Sequence, residues 1–161
     1  MNDAIYPLTL YYESACQLCN AEMANLKLRD SKGLLRFVDV SATGFDACPP
    51  GTTLDDLLAL IHGQTAHGRV LKGVEVFRLA YSAVGIPQVA ALTRLPGIAP
   101  LSERAYALIA RNRHRLPRRL ITAVFEHSLR RAAQQAAARR CDGNTCTAGP
   151  VVPDNAPRST R

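Results

Sequence analysis

Two cysteines separated by two residues lie between a strand-like segment and a helix-like one. Residues 7–12 (PLTLYY) are a short apolar run typical of a β-strand. Cys16 and Cys19 follow, and from residue 19 to 29 apolar side chains recur at helical spacing. The sequence therefore predicts a strand, a tight connection and a helix that begins at the cysteine pair.

This placement favours redox chemistry. The spacing puts the two sulfur atoms one helical turn apart, close enough for a disulfide to form with little backbone change. Free N–H groups and the dipole at a helix N-terminus stabilise a thiolate. A thiol of low pKa is both an attacking group and a leaving group near neutral pH. We therefore predict that Cys16 attacks a partner disulfide and that Cys19 resolves the mixed disulfide.

Half of a structural zinc site is the alternative interpretation of this spacing. Cys141 and Cys146, in the segment CDGNTC, are the cysteines that would join Cys16 and Cys19 as zinc ligands. The chain has no second C-x-x-C and no histidine pair at zinc-finger spacing, so we predict no metal and no other cofactor. Cys141 and Cys146 are interpreted first as inert thiols, second as an electron shuttle to Cys16 and Cys19, and third as zinc ligands. Cys48 is interpreted as a partly buried thiol without a redox role.

The first hundred residues predict an α/β domain with the element order β-α-β-α-β-β-α. Thr52 or Thr53 is expected to cap a short helix that has Asp55 and Asp56 in its first turn. A mostly helical extension follows, in which Asn112 lies on an apolar stripe and predicts a buried hydrogen bond. The remaining predicted segments are strands within 34–40, 58–65 and 69–72, and helices over 74–84, 87–95, 101–116 and 118–140.

The length of 161 residues fits one domain with an appendage. Because 47% of the residues are apolar and 20% are charged, a mostly disordered chain is excluded. We predict a redox domain over residues 1–100, a helical basic extension over 101–140 packed on or beside it, and a flexible tail over 141–161 that holds a cysteine pair.

The net charge of +7 belongs to one segment of the chain. Residues 103–140 hold ten arginines and two glutamates, whereas residues 1–102 are close to neutral. The basic helices between Arg104 and Arg140 are interpreted as a solvated face, with docking to a partner or a membrane surface as the alternative. No helix-turn-helix, zinc-finger or RNA-binding aromatic motif accompanies them, so no specific nucleic-acid binding is predicted.

The N-terminal residues show no basic segment followed by an apolar core and a cleavage site, so no secretory signal is predicted. No stretch approaches the length of apolar sequence that a membrane span requires. The expectation is a soluble cytoplasmic protein, in which a disulfide is usually transient or catalytic.

The sequence YYESACQLCNAEM resembles the opening motif of the DCC family of predicted thiol-disulfide oxidoreductases, which runs aromatic-aromatic-Asp-Gly-x-Cys-x-x-Cys. HGRVLKGVEVF and LPGIAPLSERAYALIARNRHRL are similar to two further segments of that family. The resemblance implies a thioredoxin-like fold, which agrees with the predicted element order, and the residue pattern adds a C-terminal, all-helical, Arg-rich extension. It also implies disulfide exchange with a partner protein or a low-molecular-weight thiol.

Two departures from the family pattern affect the site. Glu13 and Ser14 stand where the family has Asp and Gly. A carboxylate three residues before Cys16 can accept or relay the proton of Cys16, and a solvent-exposed turn residue is the alternative. No proline precedes the 58–65 segment, where thioredoxins place a cis-proline, so the mode of substrate binding stays open.

A non-enzymatic interaction module, with a structural zinc or inert cysteines and a basic docking helix, is the alternative function.

Overall fold

A four-stranded mixed sheet forms the centre of the computed structural model, which describes residues 5–142 and 145–146, with side chains as far as residue 138 except that of Val124. Strand β1 (Leu8–Tyr12) is an inner strand. It pairs in parallel with β2 (Leu35–Asp39) and antiparallel with β3 (His62–Gln64), and β3 pairs antiparallel with β4 (Val70–Lys72). The sheet order is therefore β2-β1-β3-β4.

The helices follow the strands in the predicted order β-α-β-α-β-β-α and then continue as an all-helical segment. This mixed α/β arrangement is compatible with a thioredoxin-like fold. The helices are α1 (Gln17–Arg29), α2 (Leu54–Ala59), α3 (Val74–Ala83), α4 (Pro87–Arg94), α5 (Ile98–Asn112), a 3₁₀ turn (Arg113–Arg115) and α6 (Arg118–Arg140).

Strand β1 has apolar side chains on both of its faces because successive side chains of a strand point in opposite directions. Leu8 and Leu10 are fully buried in the main core against α1 and α3. Tyr11 packs on the opposite side in a smaller cluster with Leu57 of α2. Thr53 caps α2 as predicted, in a reciprocal capping box with Asp56.

The predicted helix over 101–116 is wrong at both ends. Helix α5 begins three residues earlier, directly after Gly97, whose φ of +88° suits glycine. It ends at Asn112, and the chain then makes a 3₁₀ turn. Leu116 is extended because a residue that precedes a proline is disfavoured in the helical region, and Pro117 follows it. The chain therefore changes direction at residues 113–117.

Helix α5 is fixed to the sheet and to α3 by partly buried polar contacts. Arg78 of α3 donates to the backbone carbonyl of Thr93 at 2.7 Å and pairs with Glu103 of α5 at 3.4 Å. The hydroxyl of Tyr106 accepts a hydrogen bond from the amide of Ile61 at 2.9 Å. These contacts set the position from which the 3₁₀ turn leaves α5.

Helix α6 packs along α1. Asn25 of α1 is 2% exposed, and its side-chain oxygen accepts hydrogen bonds from Arg29 at 2.9 Å and from the hydroxyl of Ser128 at 3.1 Å. Arg29 also donates to the carbonyl oxygen of Ser128 at 3.2 Å. Ile121 and Ala132 of α6 are buried. The basic helix therefore contacts the same helix that begins at the cysteine pair.

Beyond α6 the backbone pairs Cys141–Asp142 with Thr145–Cys146, and Cys141 is opposite Cys146 in this antiparallel register. The rest of the predicted tail over 141–161 lies outside the described residues. Within the part of the chain that the structure covers, no helix is long and apolar enough to cross a membrane.

Replacing Asn25 by alanine is expected to lower the free energy of unfolding by about 2 kcal/mol, because it leaves the buried donors of Arg29 and Ser128 without their acceptor. Asn20→Ala is the matched control, since Asn20 lies on the exposed side of the same helix and should change stability by less than about 0.5 kcal/mol. Urea unfolding measures both. Equal effects would show that this contact does not hold α6 to α1.

Candidate active site

Cys16 is the N-cap of α1, as the sequence predicts. Its backbone is extended, with φ of −79° and ψ of 112°, and its sulfur accepts a hydrogen bond from the amide of Cys19 at 3.3 Å. The sulfur thus takes the place of the oxygen with which Ser, Thr or Asp commonly caps a helix. A negative charge on this atom would face the N-terminal amides and the positive end of the helix dipole.

The two thiols differ in protonation. Hydrogen bonding from the Cys19 side chain lowers the pKa of Cys16 to about 6, with smaller contributions from the Cys19 amide and from the positive charges of Arg113 and His114 against the opposing effect of burial. The hydrogen bond to Cys16 and burial raise the pKa of Cys19. Near neutral pH, Cys16 is therefore the thiolate of the pair and Cys19 is the thiol.

The accessibility of the two cysteines also differs. Cys16 has no exposed surface, whereas Cys19 is half-buried. A thiolate buried in this way is shielded from bulk water, so its charge interacts more strongly with neighbouring groups than at a surface. A reacting molecule cannot contact the Cys16 sulfur until a neighbouring side chain moves.

Glu13 is held in place by two basic residues of the 3₁₀ turn. Its carboxylate pairs with the Arg113 guanidinium at 2.7 Å and lies 3.3 Å from the ring of His114. Arg113 also donates to the backbone carbonyl of Leu58. The side chain of Glu13 is only 14% exposed, so it is not the solvent-exposed turn residue of the alternative interpretation. Ser14, next in the chain, anchors this loop to β2 by donating its amide hydrogen to Asp39 at 3.1 Å.

Arg113 is the site residue for which the sequence predicts no role. It is 9% exposed, and 100 positions separate it from Glu13. The signal in the sequence is its place in the segment LPGIAPLSERAYALIARNRHRL, which is similar to a segment of the family. The buried hydrogen bond predicted for Asn112 is wrong, because Asn112 donates to the carbonyl of Leu108 in its own helix through an exposed hydrogen bond.

The other cysteines lie apart from this site or beyond the described side chains. Cys48 is half-buried and packs against the small cluster of Tyr11, Val40 and Leu57, as expected for a packed thiol. Cys141 and Cys146 have no described side chains, so their predicted roles, including that of zinc ligands, stay predictions. Among the residues that the structure describes, no three His, Cys, Asp or Glu side chains come together in a way that could hold a metal ion.

An apolar cavity of about 300 Å³ adjoins the cysteine pair. Cys19, Glu13 and Arg113 form one end of its lining. Aromatic and aliphatic side chains of the sheet domain and of helices α5 and α6 form the rest, among them Tyr12, Leu57, Ile61, Phe77, Tyr106 and Phe125. The sequence does not predict this cavity, because its walls come from six separate elements of the chain.

A dithiol at a strand-to-helix junction, with one thiol ionised and the other protonated, has the groups that disulfide exchange requires. Residues 10–119 match the model of the DCC1-like thiol-disulfide oxidoreductase family. The chain therefore belongs to that family, which confirms the resemblance and supports a redox role in general.

A curated relative is an uncharacterized, chloroplastic protein of Arabidopsis thaliana, which is 31% identical over 110 residues. The match covers 67% of this chain and 51% of that protein, so the chain spans about half the length of the curated relative. No solved structure matches the chain.

The alkylation rate of Cys16 is expected to rise with pH through a midpoint of about 6 and to level off above it, because the thiolate is the reacting form. Iodoacetamide labelling of the reduced chain, with the modified cysteine located by peptide mass, measures this profile. The same cysteine in the chain unfolded by urea is the control, and its midpoint should lie near about 8.5. Identical midpoints would contradict the stabilised thiolate.

Replacing Arg113 by glutamine should raise the pKa of Cys16, because it removes a positive charge that favours the thiolate. We expect roughly threefold less alkylation of Cys16 at pH 6. Arg111→Gln is the control, since Arg111 lies two residues away on the exposed side of α5 and carries the same charge. If the two variants gave the same profile, only the overall charge of the chain would matter.

Proposed function

We propose that the protein is a thiol-disulfide oxidoreductase in which Cys16 is the attacking thiolate and Cys19 the resolving thiol. The observation that supports this most directly is the opposite direction of the two pKa shifts at the N-terminus of α1. A nucleophile that is ionised near neutral pH reacts without a prior deprotonation step. The family match supports redox activity in general, and the residue roles are our proposal.

In this mechanism the Cys16 thiolate attacks one sulfur of a partner disulfide. The first partner thiolate leaves, and a mixed disulfide joins Cys16 to the second partner sulfur. Cys19 then loses its proton and attacks the sulfur of Cys16, which releases the second partner thiolate and closes the Cys16–Cys19 disulfide. Two electrons pass from the protein to the partner, and the reverse sequence oxidises a partner dithiol.

Glu13 is proposed to accept the proton of Cys19 during the second step. Its carboxylate and the Cys19 side chain line the same end of the cavity. Its negative charge also contributes to the raised pKa of Cys19, which places the two groups within electrostatic reach. Arg113 holds this carboxylate and compensates its charge, so Arg113 acts as a positioning residue.

The partner in this proposal is a protein disulfide or a low-molecular-weight thiol in the cytoplasm. Exposed arginines of α6 offer a surface on which an acidic partner could dock, and they include Arg118, Arg119, Arg130 and Arg131. Arg130 already pairs with Glu126 at 2.5 Å, so a partner would compete with this intrahelical contact.

Cys16→Ser is expected to abolish disulfide exchange, a loss of at least about a thousandfold, because a serine oxygen cannot form the mixed disulfide with the partner. Cys19→Ser should instead accumulate a mixed disulfide on Cys16, since the resolving thiol is missing. Cys48→Ser is the matched control and should exchange at the rate of the unmodified chain. Reduction of an insulin disulfide measures the rate, and intact mass identifies the adduct. Full activity of Cys16→Ser would rule out the mechanism.

A redox titration of the unmodified chain distinguishes a thiol-disulfide oxidoreductase from a non-enzymatic interaction module. With alkylation measured by mass, the titration should show one two-electron transition at Cys16 and Cys19 in protein free of zinc. Stoichiometric zinc together with no such transition would favour the structural alternative. Zinc content is measured by elemental analysis of the purified full chain.

A further inference from the structure

The cavity beside Cys19 has the size of a small-molecule site. Its volume of about 300 Å³ is at the lower end of the range for ligand pockets. Its aromatic and aliphatic lining belongs to α1, α2, α3, α5, α6 and the end of β1, so a molecule inside it would be enclosed by side chains on several sides. Such a lining favours apolar groups, because burial removes their surface from water.

The polar groups of this lining are already paired. Glu13 and Arg113 neutralise one another. Glu22 is 8% exposed, its pKa is raised chiefly by burial, and it shares a hydrogen bond with the hydroxyl of Tyr81. The Tyr106 hydroxyl accepts the Ile61 amide. Among the described lining residues no charge is left to bind an ionic ligand, so an uncharged molecule is the complementary one.

The one group of this lining with disulfide chemistry is the Cys19 thiol. Cys16 is not part of the lining, but its sulfur accepts a hydrogen bond from the Cys19 amide at 3.3 Å. A sulfur atom held in the cavity would therefore lie beside Cys19, the accessible member of the dithiol. This position links an apolar binding site to a redox centre.

We infer that the cavity binds a small, uncharged, apolar disulfide and presents its sulfur atoms to the cysteine pair. This inference rests on the proposed function and adds the class of substrate to it. Charged disulfides such as that of glutathione are poor substrates, since their ionic groups would lose water without gaining a partner in the cavity.

The electrons and protons balance without a further reagent. The Cys16 thiolate attacks one sulfur of the disulfide RSSR, after the Cys19 side chain moves aside, and the first RS⁻ leaves. The Cys19 thiol then passes its proton to this RS⁻, directly or through Glu13, and attacks the sulfur of Cys16. The second RS⁻ leaves and takes its proton from water, so that RSSR is reduced to two thiols and the cysteine pair is oxidised to a disulfide.

The test compares dipropyl disulfide with bis(2-hydroxyethyl) disulfide, which has the same number of non-hydrogen atoms and a hydroxyl in place of each terminal methyl. Each reacts with the reduced full chain, and each rate is divided by the rate of the same disulfide with free dithiothreitol. We expect the normalised rate of dipropyl disulfide to be about tenfold higher, because the lining is mostly apolar and its polar groups already hold hydrogen bonds or ion pairs.

A filled cavity provides the second comparison. Ala110 of α5 is buried and lines the cavity, so Ala110→Leu should fill part of it and reduce the rate preference for dipropyl disulfide toward one. Ala105→Leu makes the same change on the exposed side of the same helix and should keep the preference. Circular dichroism establishes that both variants are folded.

Binding is measured apart from the chemistry by calorimetry with Cys16→Ser/Cys19→Ala, which cannot exchange disulfides. Dipropyl disulfide should bind this variant, and bis(2-hydroxyethyl) disulfide should bind about tenfold more weakly. These measurements, together with the rates of the unmodified chain, decide the question even if Ala110→Leu does not fold.

Equal normalised rates for the two disulfides and no calorimetric binding would overturn the apolar site, while exchange that depends on Cys16 would still support the proposed function. Absence of any exchange that depends on Cys16, with either disulfide or with insulin, would overturn both. A tenfold preference that is lost in Ala110→Leu and kept in Ala105→Leu supports the site.

Discussion

The contact of Arg113 with Glu13 joins the C-terminal helices to the cysteine pair. The guanidinium lies between a carboxylate of the β1–α1 loop and a backbone carbonyl at the end of α2, and it acts on the Cys16 thiolate through its charge. A buried guanidinium without these partners would be costly, so the 3₁₀ turn has few alternative positions. Through this turn, helix α6 and the start of α1 are held in one arrangement. The basic extension is thus a structural part of the redox site.

The local features of the fold could be predicted from the sequence. The strand before the cysteines, the helix after them and the capping threonine of α2 depend on neighbours within a few positions, and the structure contains all of them. The placement of Cys16 at a helix N-terminus has the same origin. The lowered pKa of Cys16 follows largely from that placement, because the Cys19 side chain and the Cys19 amide, which both hydrogen-bond to the Cys16 sulfur, are local to the motif.

The tertiary part of the site could not be predicted in this way. Arg113 meets Glu13 because Arg78 and Tyr106 fix α5 against the sheet and because α5 ends at Asn112, directly before Arg113. The residue pattern around Glu13 and the residue pattern around Arg113 do not indicate that these two side chains meet. The cavity is a further example. The spacing of an aromatic residue such as Phe125 in the sequence is the same whether its side chain packs in a core or lines a cavity.

The capping role of Cys16 connects the redox state of the protein to the integrity of helix α1. One sulfur atom receives the helix amide and, in the proposed mechanism, also forms the disulfide, so oxidation would remove a negative charge from the positive end of the dipole. By thermodynamic linkage, the free energy with which the folded chain stabilises the Cys16 thiolate also stabilises the reduced pair relative to the disulfide. The disulfide is therefore a stronger oxidant. The contact between the Cys16 sulfur and the N-terminus of α1 therefore helps to determine the direction of electron transfer. A chain without this helix would lack that contact.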